Sequence, residues 1–239
     1  MRIVIVMPAY NAAKTIESVF DRIPKDFWRK VYRVVVVNDG SKDNLPEVLR
    51  RIKKKYRKIT VLTHDLNRGY GAAQKTGFTE AVRLGADIAV LLHSDGQYAP
   101  EILQKMIAPI ENGEADVVLG SRMLGGEALK GGMPLYKYIG NRALTFIENI
   151  AYGMNITEYH TGYMVYSKRA LATIPFTRLS NTFHFDGEMI MMSGKKKLRI
   201  REVRIPTRYA EEKSHLKPIK YGIDVLKIIW RNLTGKYDF

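Results

Sequence analysis

The chain has 239 residues, of which 46% are hydrophobic, and it carries 39 Lys and Arg against 24 Asp and Glu, a formal net charge of +15. This length and apolar content suit one large α/β domain, or a domain with a short appendage, and exclude a disordered chain. The sequence has no cysteine, which excludes disulfides, thiolate zinc sites and cysteine nucleophiles. The run Met1–Met7 is too short for a signal peptide, and no apolar stretch approaches the ~18 residues that cross a bilayer. We therefore expect a cytoplasmic protein with no membrane-spanning segment.

The positive charge is unevenly distributed along the chain. The segment from Lys195 to Phe239 carries about half of the excess, and a second basic cluster lies at 50–58. Such charge is typical of proteins that bind nucleic acid, anionic lipid or phosphorylated substrates. No RNA- or DNA-binding signature or interleaved aromatic pattern accompanies it. We therefore expect no nucleic-acid partner and interpret 50–58 as a solvated helix face.

In the first half of the chain, short β-branched runs alternate with amphipathic segments. The predicted strands are Ile3–Met7, Tyr32–Val37, Ile59–His64, Ile88–His93 and Asp116–Ser121. The predicted helices between them are Ala13–Arg22, Leu45–Tyr56, Tyr70–Leu84 and Pro100–Glu111. Apolar runs without clean alternation indicate strands that are covered on both faces, as in a parallel sheet. This rhythm over residues 1–122 predicts a doubly wound α/β domain, a mostly parallel sheet flanked by helices.

After Arg122 the alternation of predicted strands and helices ends. A glycine-rich segment follows, which we interpret as a mobile loop. The later predicted elements are a helix at Gly140–Tyr152, a strand at Tyr163–Ser167, a helix at Asp186–Met192 and a strand at Leu198–Ile205. The end of the chain, Tyr221–Arg231, has one apolar stripe with Lys and Arg beside it. This composition is typical of a helix at a membrane interface, and the alternative is a helix packed on its own domain. The segment Leu135–Tyr152 has a similar composition.

Polar or basic residues follow each of the first five predicted strands. These segments are Pro8-Ala9-Tyr10-Asn11, Asn38-Asp39-Gly40-Ser41, Asn67-Arg68-Gly69, His93-Ser94-Asp95-Gly96-Gln97 and Gly120-Ser121-Arg122. Open α/β sheets bind ligands outside the carboxyl ends of their strands, so we expect these loops to form one site. A carboxylate such as Asp95 commonly shares Mg²⁺ or Mn²⁺ with substrate phosphates, and Arg68 beside a helix N-terminus suits a diphosphate. Each segment is also compatible with an ordinary turn or helix entry.

Taken in order, these motifs resemble those of the family 2 inverting glycosyltransferases, in particular the dolichyl-phosphate mannose synthase-like branch. Thr161-Gly162-Tyr163 and Phe185-Asp186-Gly187-Glu188 resemble its later motifs, so the resemblance covers roughly residues 3–217. It implies a GT-A type fold, a nucleotide-sugar donor such as GDP-mannose or UDP-glucose, and Mg²⁺ or Mn²⁺. The implied organisation is a nucleotide and metal half at 1–122, an acceptor half at 123–217, and a basic amphipathic C-terminal helix at 218–239.

The resemblance also implies roles for individual residues. Nucleotide-binding residues would be Pro8, Ala9, Tyr10, Asn11, Asn38, Asp39, Arg68, Ser94 and Asp95. Metal ligands would be His93, Asp95 and Gln97, and residues near the diphosphate or acceptor would be Arg122, Arg208, Ser214, His215 and Lys217. If the acceptor is a hydroxyl group, a carboxylate base is needed, and the candidates are Glu158, Asp186 and Glu188.

The chain departs from the family pattern at the metal motif. The usual Asp-x-Asp is here His93-Ser94-Asp95, so an imidazole replaces one carboxylate. Histidine ligates Mn²⁺ more readily than Mg²⁺, and the ring could instead only hydrogen-bond nearby. We interpret the change as a variant subgroup, with a pseudoenzyme as the alternative.

The resulting hypothesis is a metal-dependent inverting transferase. It would move a hexose, mannose or glucose, onto a polyprenyl or dolichyl phosphate or a lipid-linked glycan. The basic surplus suggests peripheral contact with an anionic membrane surface on its inner face. One alternative is a sugar-1-phosphate nucleotidyltransferase, although the Gly-rich loop expected after the first strand is missing. The other is a basic nucleic-acid-binding protein.

Overall fold

A computed structural model of the chain describes residues 1–206 and 218–239, with backbone only at 218–220. The strands are β1 (Ile3–Ala9), β2 (Val31–Asn38), β3 (Ile59–Thr63), β4 (Ile88–Leu91), β5 (Val117–Ser121), β6 (Met164–Ser167) and β7 (Ile200–Arg204). The helices are α1 (Ile16–Asp21), α2 (Lys25–Lys30), α3 (Leu45–Lys55), α4 (Tyr70–Arg83), α5 (Leu103–Glu111), α6 (Glu127–Lys130), α7 (Leu135–Tyr152), α8 (Lys168–Thr173), α9 (Phe185–Lys195) and α10 (Pro218–Leu233).

The seven strands form one sheet in the order β3-β2-β1-β4-β6-β5-β7. Strand β6 runs antiparallel to both of its neighbours, β4 and β5, and the other pairings in the sheet are parallel. The mostly parallel doubly wound sheet expected from the sequence is therefore confirmed. Its reversed strand, β6, lies near the middle of the sheet.

Both faces of the sheet are buried, which explains why the strands lack clean hydrophobic alternation. Along β1, Ile3, Ile5 and Met7 belong to one core cluster, while Val4 and Val6 belong to the cluster on the opposite face. All five side chains are at most 2% exposed. Burial of a side chain of this size contributes about 1.5–3 kcal/mol.

Three short helices, α2, α6 and α8, are absent from the sequence-based expectations. They have four to six residues, too few to display the 3.6-residue repeat from which a helix is predicted. The loop expected after Arg122 contains one of them, α6. Helix α7 begins at Leu135, directly after Pro134, rather than at Gly140, and the apolar side chains of Leu135 and Tyr136 in its first turn are exposed.

Helices α7 and α10 pack against each other, and α7 also contacts α6 and α9. Within the described ranges, no helix combines the length and apolar character needed to cross a bilayer.

Candidate functional site

The strand directions bring six chain segments to one edge of the sheet. Strands β1 to β5 all run the same way, so the loops that follow them emerge together. Strand β6 runs the other way, and the residues that precede it, Thr161-Gly162-Tyr163, therefore arrive at this same edge. The structure thus brings together the loops that the sequence predicted to form a site.

The loops after β1 and β2 are joined by hydrogen bonds. The amide of Asn11 donates to Ser41 Oγ at 3.0 Å, and the amide of Lys42 donates to Asn11 Oδ1 at 2.8 Å. Asn38 Oδ1 accepts from the Ser41 amide at 3.1 Å. Tyr10 remains 45% exposed at this junction, and its contact with a nucleotide stays a prediction.

Asp39 is buried and holds the loop after β3. Its Oδ1 accepts from the Arg68 amide at 2.9 Å, and its Oδ2 accepts from the Gly69 amide at 3.0 Å. His64 Nδ1 lies 2.6 Å from Oδ1, and the other ring nitrogen contacts Thr76. The side chain of Arg68 is exposed. Asp39 therefore fixes the backbone that carries Arg68, and its contact with a nucleoside stays a prediction.

The candidate metal loop follows β4. Ser94 Oγ donates to the carbonyl of Pro8 at 2.9 Å, which anchors the loop to β1. Asp95 is half-buried, and its Oδ1 accepts from the Gln97 amide at 3.0 Å. Burial lowers the pKa of His93, which keeps its ring neutral and able to act as a ligand.

The side chains of this loop are of types that can bind a divalent cation. No group of three or more His, Cys, Asp or Glu side chains converges on one point within the part of the chain that the structure describes. Mg²⁺ sites of nucleotide enzymes commonly use one or two carboxylates and complete the shell with phosphates and water. Asp95, Gln97 and His93 offer a carboxylate, an amide oxygen and an imidazole, which are donor types that Mn²⁺ accepts. Their binding of a metal stays a prediction.

Arg122, at the end of β5, forms a buried ion pair with Glu158. The Arg122 amide donates to Glu158 Oε2 at 2.7 Å, and Nε donates to Oε1 at 2.9 Å. A third bond joins Nη2 to Oε1, and Nη2 also donates to the carbonyl of His160 at 2.5 Å. Glu158 is fully buried. This pair connects the end of β5 to the segment that enters β6.

Asp186 lies at the start of α9 and is 7% exposed. Its Oδ2 accepts from the Tyr70 hydroxyl at 2.6 Å, and its Oδ1 accepts from Gln74 Nε2 at 2.8 Å. Burial raises the pKa of Asp186 to about 7, against the two hydrogen bonds, which lower it.

Glu188, two residues further along α9, is also enclosed. Its Oε2 accepts from the Ser180 amide at 2.7 Å, and its Oε1 accepts from the Tyr237 hydroxyl. Both oxygens of each candidate base, Glu158, Asp186 and Glu188, are therefore engaged by donors of this chain. Their assignment as general bases stays a prediction, and the geometry favours positioning roles. The remaining predicted site residues lie outside the described residues: Arg208, Ser214, His215 and Lys217.

The sequence profile of glycosyl transferase family 2 matches residues 4–174, which takes in β1 to β6 and all six segments at the sheet edge. The chain belongs to glycosyl transferase family 2. The GT-A type fold expected from the resemblance is confirmed, and the protein is a glycosyltransferase. The nucleotidyltransferase and nucleic-acid-binding alternatives receive no support from these matches.

Two curated glycosyltransferases of archaea are similar to this chain. The UDP-N-acetylglucosamine–dolichyl-phosphate N-acetylglucosaminyltransferase of Methanococcus voltae is 33% identical over 221 residues, 87% of this chain and 86% of that protein. The dolichol-phosphate mannosyltransferase of Pyrococcus furiosus is 30% identical over 151 residues, 63% of this chain and 41% of that protein.

Among solved structures, the glucosyl-3-phosphoglycerate synthase of Mycobacterium tuberculosis has a similar fold. That structure contains Mn²⁺, uridine diphosphate and glucosyl-3-phosphoglycerate. The TM-score is 0.65 at 20% sequence identity, with 96% of this chain and 76% of that chain covered. At this identity the likeness establishes the shared fold.

The structure of this family 2 enzyme adds residues that sequence reasoning missed. They are His64 beside Asp39, Tyr70 and Gln74 beside Asp186, and Tyr98 beside His93. The signal that could have found Tyr70 and Gln74 is their four-residue spacing on α4, which places two polar groups on one helix face. Gln74 is fully buried there.

Glu148 of α7 and His160, which precedes β6, lie next to each other, and His160 contacts α10. Glu148 Oε2 of α7 lies 3.3 Å from His160 Nε2, although their geometry does not make a hydrogen bond. His160 Nδ1 lies 3.1 Å from the Tyr221 hydroxyl of α10. Burial raises the pKa of Glu148 to about 8. Burial, with Arg122 and His184 nearby, lowers the pKa of His160 to about 3. The pair is therefore neutral at pH 7.

These two pKa values predict how stability depends on pH. In the unfolded chain Glu148 titrates near pH 4.5 and His160 near 6.5. Between these values the pair binds one proton in the native protein and one in the unfolded chain. From pH 6.5 to about 8 the native pair keeps a proton that the unfolded chain has lost, and stability falls by about 2 kcal/mol. Below pH 4.5 the unfolded chain binds the extra proton, and stability falls again. In urea unfolding at pH 6.5 and 8, Glu148→Gln should not show the fall in the free energy of unfolding between these two pH values.

The exposed Glu114 offers a matched control, because Glu114→Gln makes the same chemical change without burial. It should keep the wild-type loss between pH 6.5 and 8. An equal loss in Glu148→Gln would contradict the neutral pair.

Proposed function

We propose that this enzyme transfers a hexose, or an N-acetylated hexose, from a nucleotide diphosphate donor to a polyprenyl or dolichyl phosphate with inversion at the anomeric carbon. The observation that carries this proposal is the position of Asp95 and His93 at the carboxyl edge of the sheet, among loops that also present exposed Tyr10 and Arg68. The lipid-phosphate acceptor is supported by the activities for which the archaeal relatives are named.

The donor would lie across the edge from Tyr10 to the loop after β4. Asp95, Gln97 and His93 would hold Mn²⁺ or Mg²⁺, which neutralises charge on the leaving diphosphate when it is bound. Arg68, on a loop fixed by Asp39, stands where α4 begins, and backbone amides at a helix N-terminus favour a phosphate. Preorganised cations and amides of this kind stabilise the charge that develops as the sugar departs.

The acceptor would attack the anomeric carbon from the side opposite the diphosphate. A lipid phosphate is already anionic at pH 7 and needs no base. A hydroxyl acceptor would need a base to take its proton. The engaged carboxylates of Glu158, Asp186 and Glu188 therefore support the phosphate acceptor, for which orientation contributes most of the rate enhancement.

A lipid acceptor also requires access to a membrane surface, and two neighbouring helices supply a surface for it. Exposed apolar side chains form stripes on α7 and α10, which we call the apolar face; its residues are Leu135, Tyr136, Ile139, Phe146, Ile147, Ile150, Ile223, Leu226, Trp230 and Leu233. Arg142, Lys227 and Arg231 are exposed on the same helices. Interfacial helices combine an apolar stripe with flanking cations in this way. We propose that this face rests on an anionic membrane.

Thermal unfolding tests the donor directly. We expect one nucleotide family among UDP-N-acetylglucosamine, UDP-glucose and GDP-mannose to raise the Tm in the presence of Mn²⁺. At about 100 times its Kd a ligand stabilises by about 2.7 kcal/mol, or roughly 5–11 °C for a chain of this size. Asp95→Asn should lose the metal-dependent part of the rise. No shift with any donor, with or without metal, would contradict the proposed function.

Sedimentation with vesicles tests the apolar face. Vesicles of phosphatidylcholine and phosphatidylglycerol should bind the protein, and Trp230→Glu or Phe146→Glu should weaken binding by about 10- to 100-fold. The reason is the loss of about 1.5–3 kcal/mol of apolar burial per side chain. Both side chains are at least 60% exposed, so the free protein should remain folded.

Val82→Glu provides the control for that experiment. Val82 is 51% exposed, but it lies on α4 rather than on the apolar face. Its substitution should leave vesicle binding unchanged. Equal binding by the Trp230, Phe146 and Val82 variants would show that this face does not contact lipid.

A further inference from the structure

One hydroxyl group connects the acceptor half of the enzyme to the candidate metal loop. The Tyr70 hydroxyl lies 2.6 Å from Asp186 Oδ2 and 2.7 Å from His93 Nε2. Tyr70 opens α4, Asp186 opens α9, and His93 follows β4. Three elements that are distant in the sequence therefore meet at a single oxygen atom.

The number of available protons sets the direction of the two hydrogen bonds at the Tyr70 hydroxyl. A tyrosine hydroxyl has one proton to donate, and an ionised carboxylate only accepts. Gln74 Nε2 already donates to the other Asp186 oxygen, Oδ1. When Asp186 is ionised, the Tyr70 proton must point at Asp186. The Tyr70 oxygen can then satisfy His93 only by accepting a proton from Nε2.

We infer that Asp186 and Tyr70 are positioning residues that hold His93 as the Nε2–H tautomer, so that Nδ1 carries the lone pair available to a metal ion. This inference rests on the proposed function, since it concerns how the variant metal loop works. A carboxylate presents ligand oxygens on either side, whereas an imidazole presents a lone pair on one nitrogen only. A His in place of the usual Asp therefore needs a partner that fixes its tautomer.

The ring of His93 is also held in place sterically. A Cβ atom on Gly162 would lie 2.6 Å from His93 Cε1 and 2.8 Å from Nε2, so only glycine leaves room for the ring. Tyr98 packs edge-on against the ring at 4.9 Å between centroids, and its hydroxyl accepts from the Gly162 amide at 2.7 Å. The ring is therefore confined both by packing and by its hydrogen bond.

The tautomer can be read directly from ¹⁵N NMR of the metal-free protein at pH 8, where Asp186 is ionised. The wild type should show His93 protonated on Nε2. In Asp186→Asn, the Asn oxygen should accept from Gln74 and its NH₂ group should donate to Tyr70. The Tyr70 proton then turns to His93, and the ring proton should move to Nδ1. Glu188→Gln, a matched loss of a carboxylate on the same helix, should leave the tautomer as in the wild type.

A metal titration gives the second measurement. Electron paramagnetic resonance of free Mn²⁺, titrated in the presence of uridine diphosphate, should show a 10- to 100-fold weaker affinity for Asp186→Asn, the usual effect of losing such a partner. If Asp186→Asn does not fold, Tyr70→Phe takes its place. It should weaken Mn²⁺ binding about tenfold and allow both tautomers to appear.

The outcomes separate this inference from the proposed function. A wild-type ring protonated on Nδ1, or a tautomer that Asp186→Asn leaves unchanged, would overturn the inference whatever the enzyme's activity. In the Tyr70→Phe case, unchanged Mn²⁺ affinity together with a single tautomer would overturn it. Failure of every nucleotide in the thermal assay would instead count against the proposed function, because the tautomer is measured without donor or metal.

Discussion

Asp95→Asn is expected to lower kcat/KM on the order of 10²- to 10³-fold, the usual effect of removing one preorganised group that stabilises transition-state charge. Asparagine keeps the shape of the side chain and can still accept from the Gln97 amide, the bond that Asp95 makes at 3.0 Å. What it removes is the negative charge of the proposed metal ligand. The loss should therefore appear in the chemical step and in the dependence on Mn²⁺, with little change in the free energy of unfolding.

Steady-state assays across a Mn²⁺ titration measure this effect. Asp26→Asn makes the same change at an exposed position on α2, which leads into the opposite end of β2. That variant should retain wild-type activity. If Asp95→Asn kept the wild-type rate and the wild-type dependence on Mn²⁺, Asp95 would not be a metal ligand.

Arg122→Met is expected to cost about 3–5 kcal/mol of folding free energy, the usual result of leaving a buried charge without its partner. Glu158 is fully buried, and the Arg122 side chain is only 19% exposed. Methionine fills similar volume but supplies no donor for Glu158 Oε1. For a chain of this length the Tm should fall by roughly 6–20 °C.

Two variants make the Arg122 experiment decisive. Combining Arg122→Met with Glu158→Gln removes both charges and should recover part of the loss. Arg50→Met breaks an exposed pair with Glu47, in which the two side chains are 72% and 52% exposed, and should cost at most about 1 kcal/mol. Similar losses for Arg122→Met and Arg50→Met would show that the Arg122–Glu158 pair adds no more stability than a surface pair.

The parts of the fold that sequence predicts well are those fixed by local pattern. Apolar runs such as 34–37 and 88–92 are buried on both faces, and the same residues predict strands of a parallel sheet. The direction of β6 is not predictable in this way. A short apolar run looks the same whichever way it enters the sheet, and the pairing depends on strands far away in the chain.

The same distinction between local pattern and distant contact applies to the candidate site. Its loops could be placed because each follows a predicted strand, and strand ends define one edge. The hydrogen-bond partners of Asp39, Glu158 and Asp186 could not be predicted, because each of these contacts joins distant segments of the chain. Tyr70 and Asp186, for example, are 116 residues apart. A motif identifies a carboxylate, but only the fold shows what has been placed against it.

The position of β6 also constrains how the protein is made. The sheet neighbours of β5 are β6 and β7, and both are synthesised after it. During synthesis, β5 and one edge of β4 stay unpaired until β6, from the second half of the chain, is inserted between them. Open strand edges are sites of aggregation, and non-local pairing slows folding. A fragment that ended at Arg122 would leave β5 without a neighbour in the sheet, so the loops after β4 and β5 depend for their final arrangement on strands that are synthesised later.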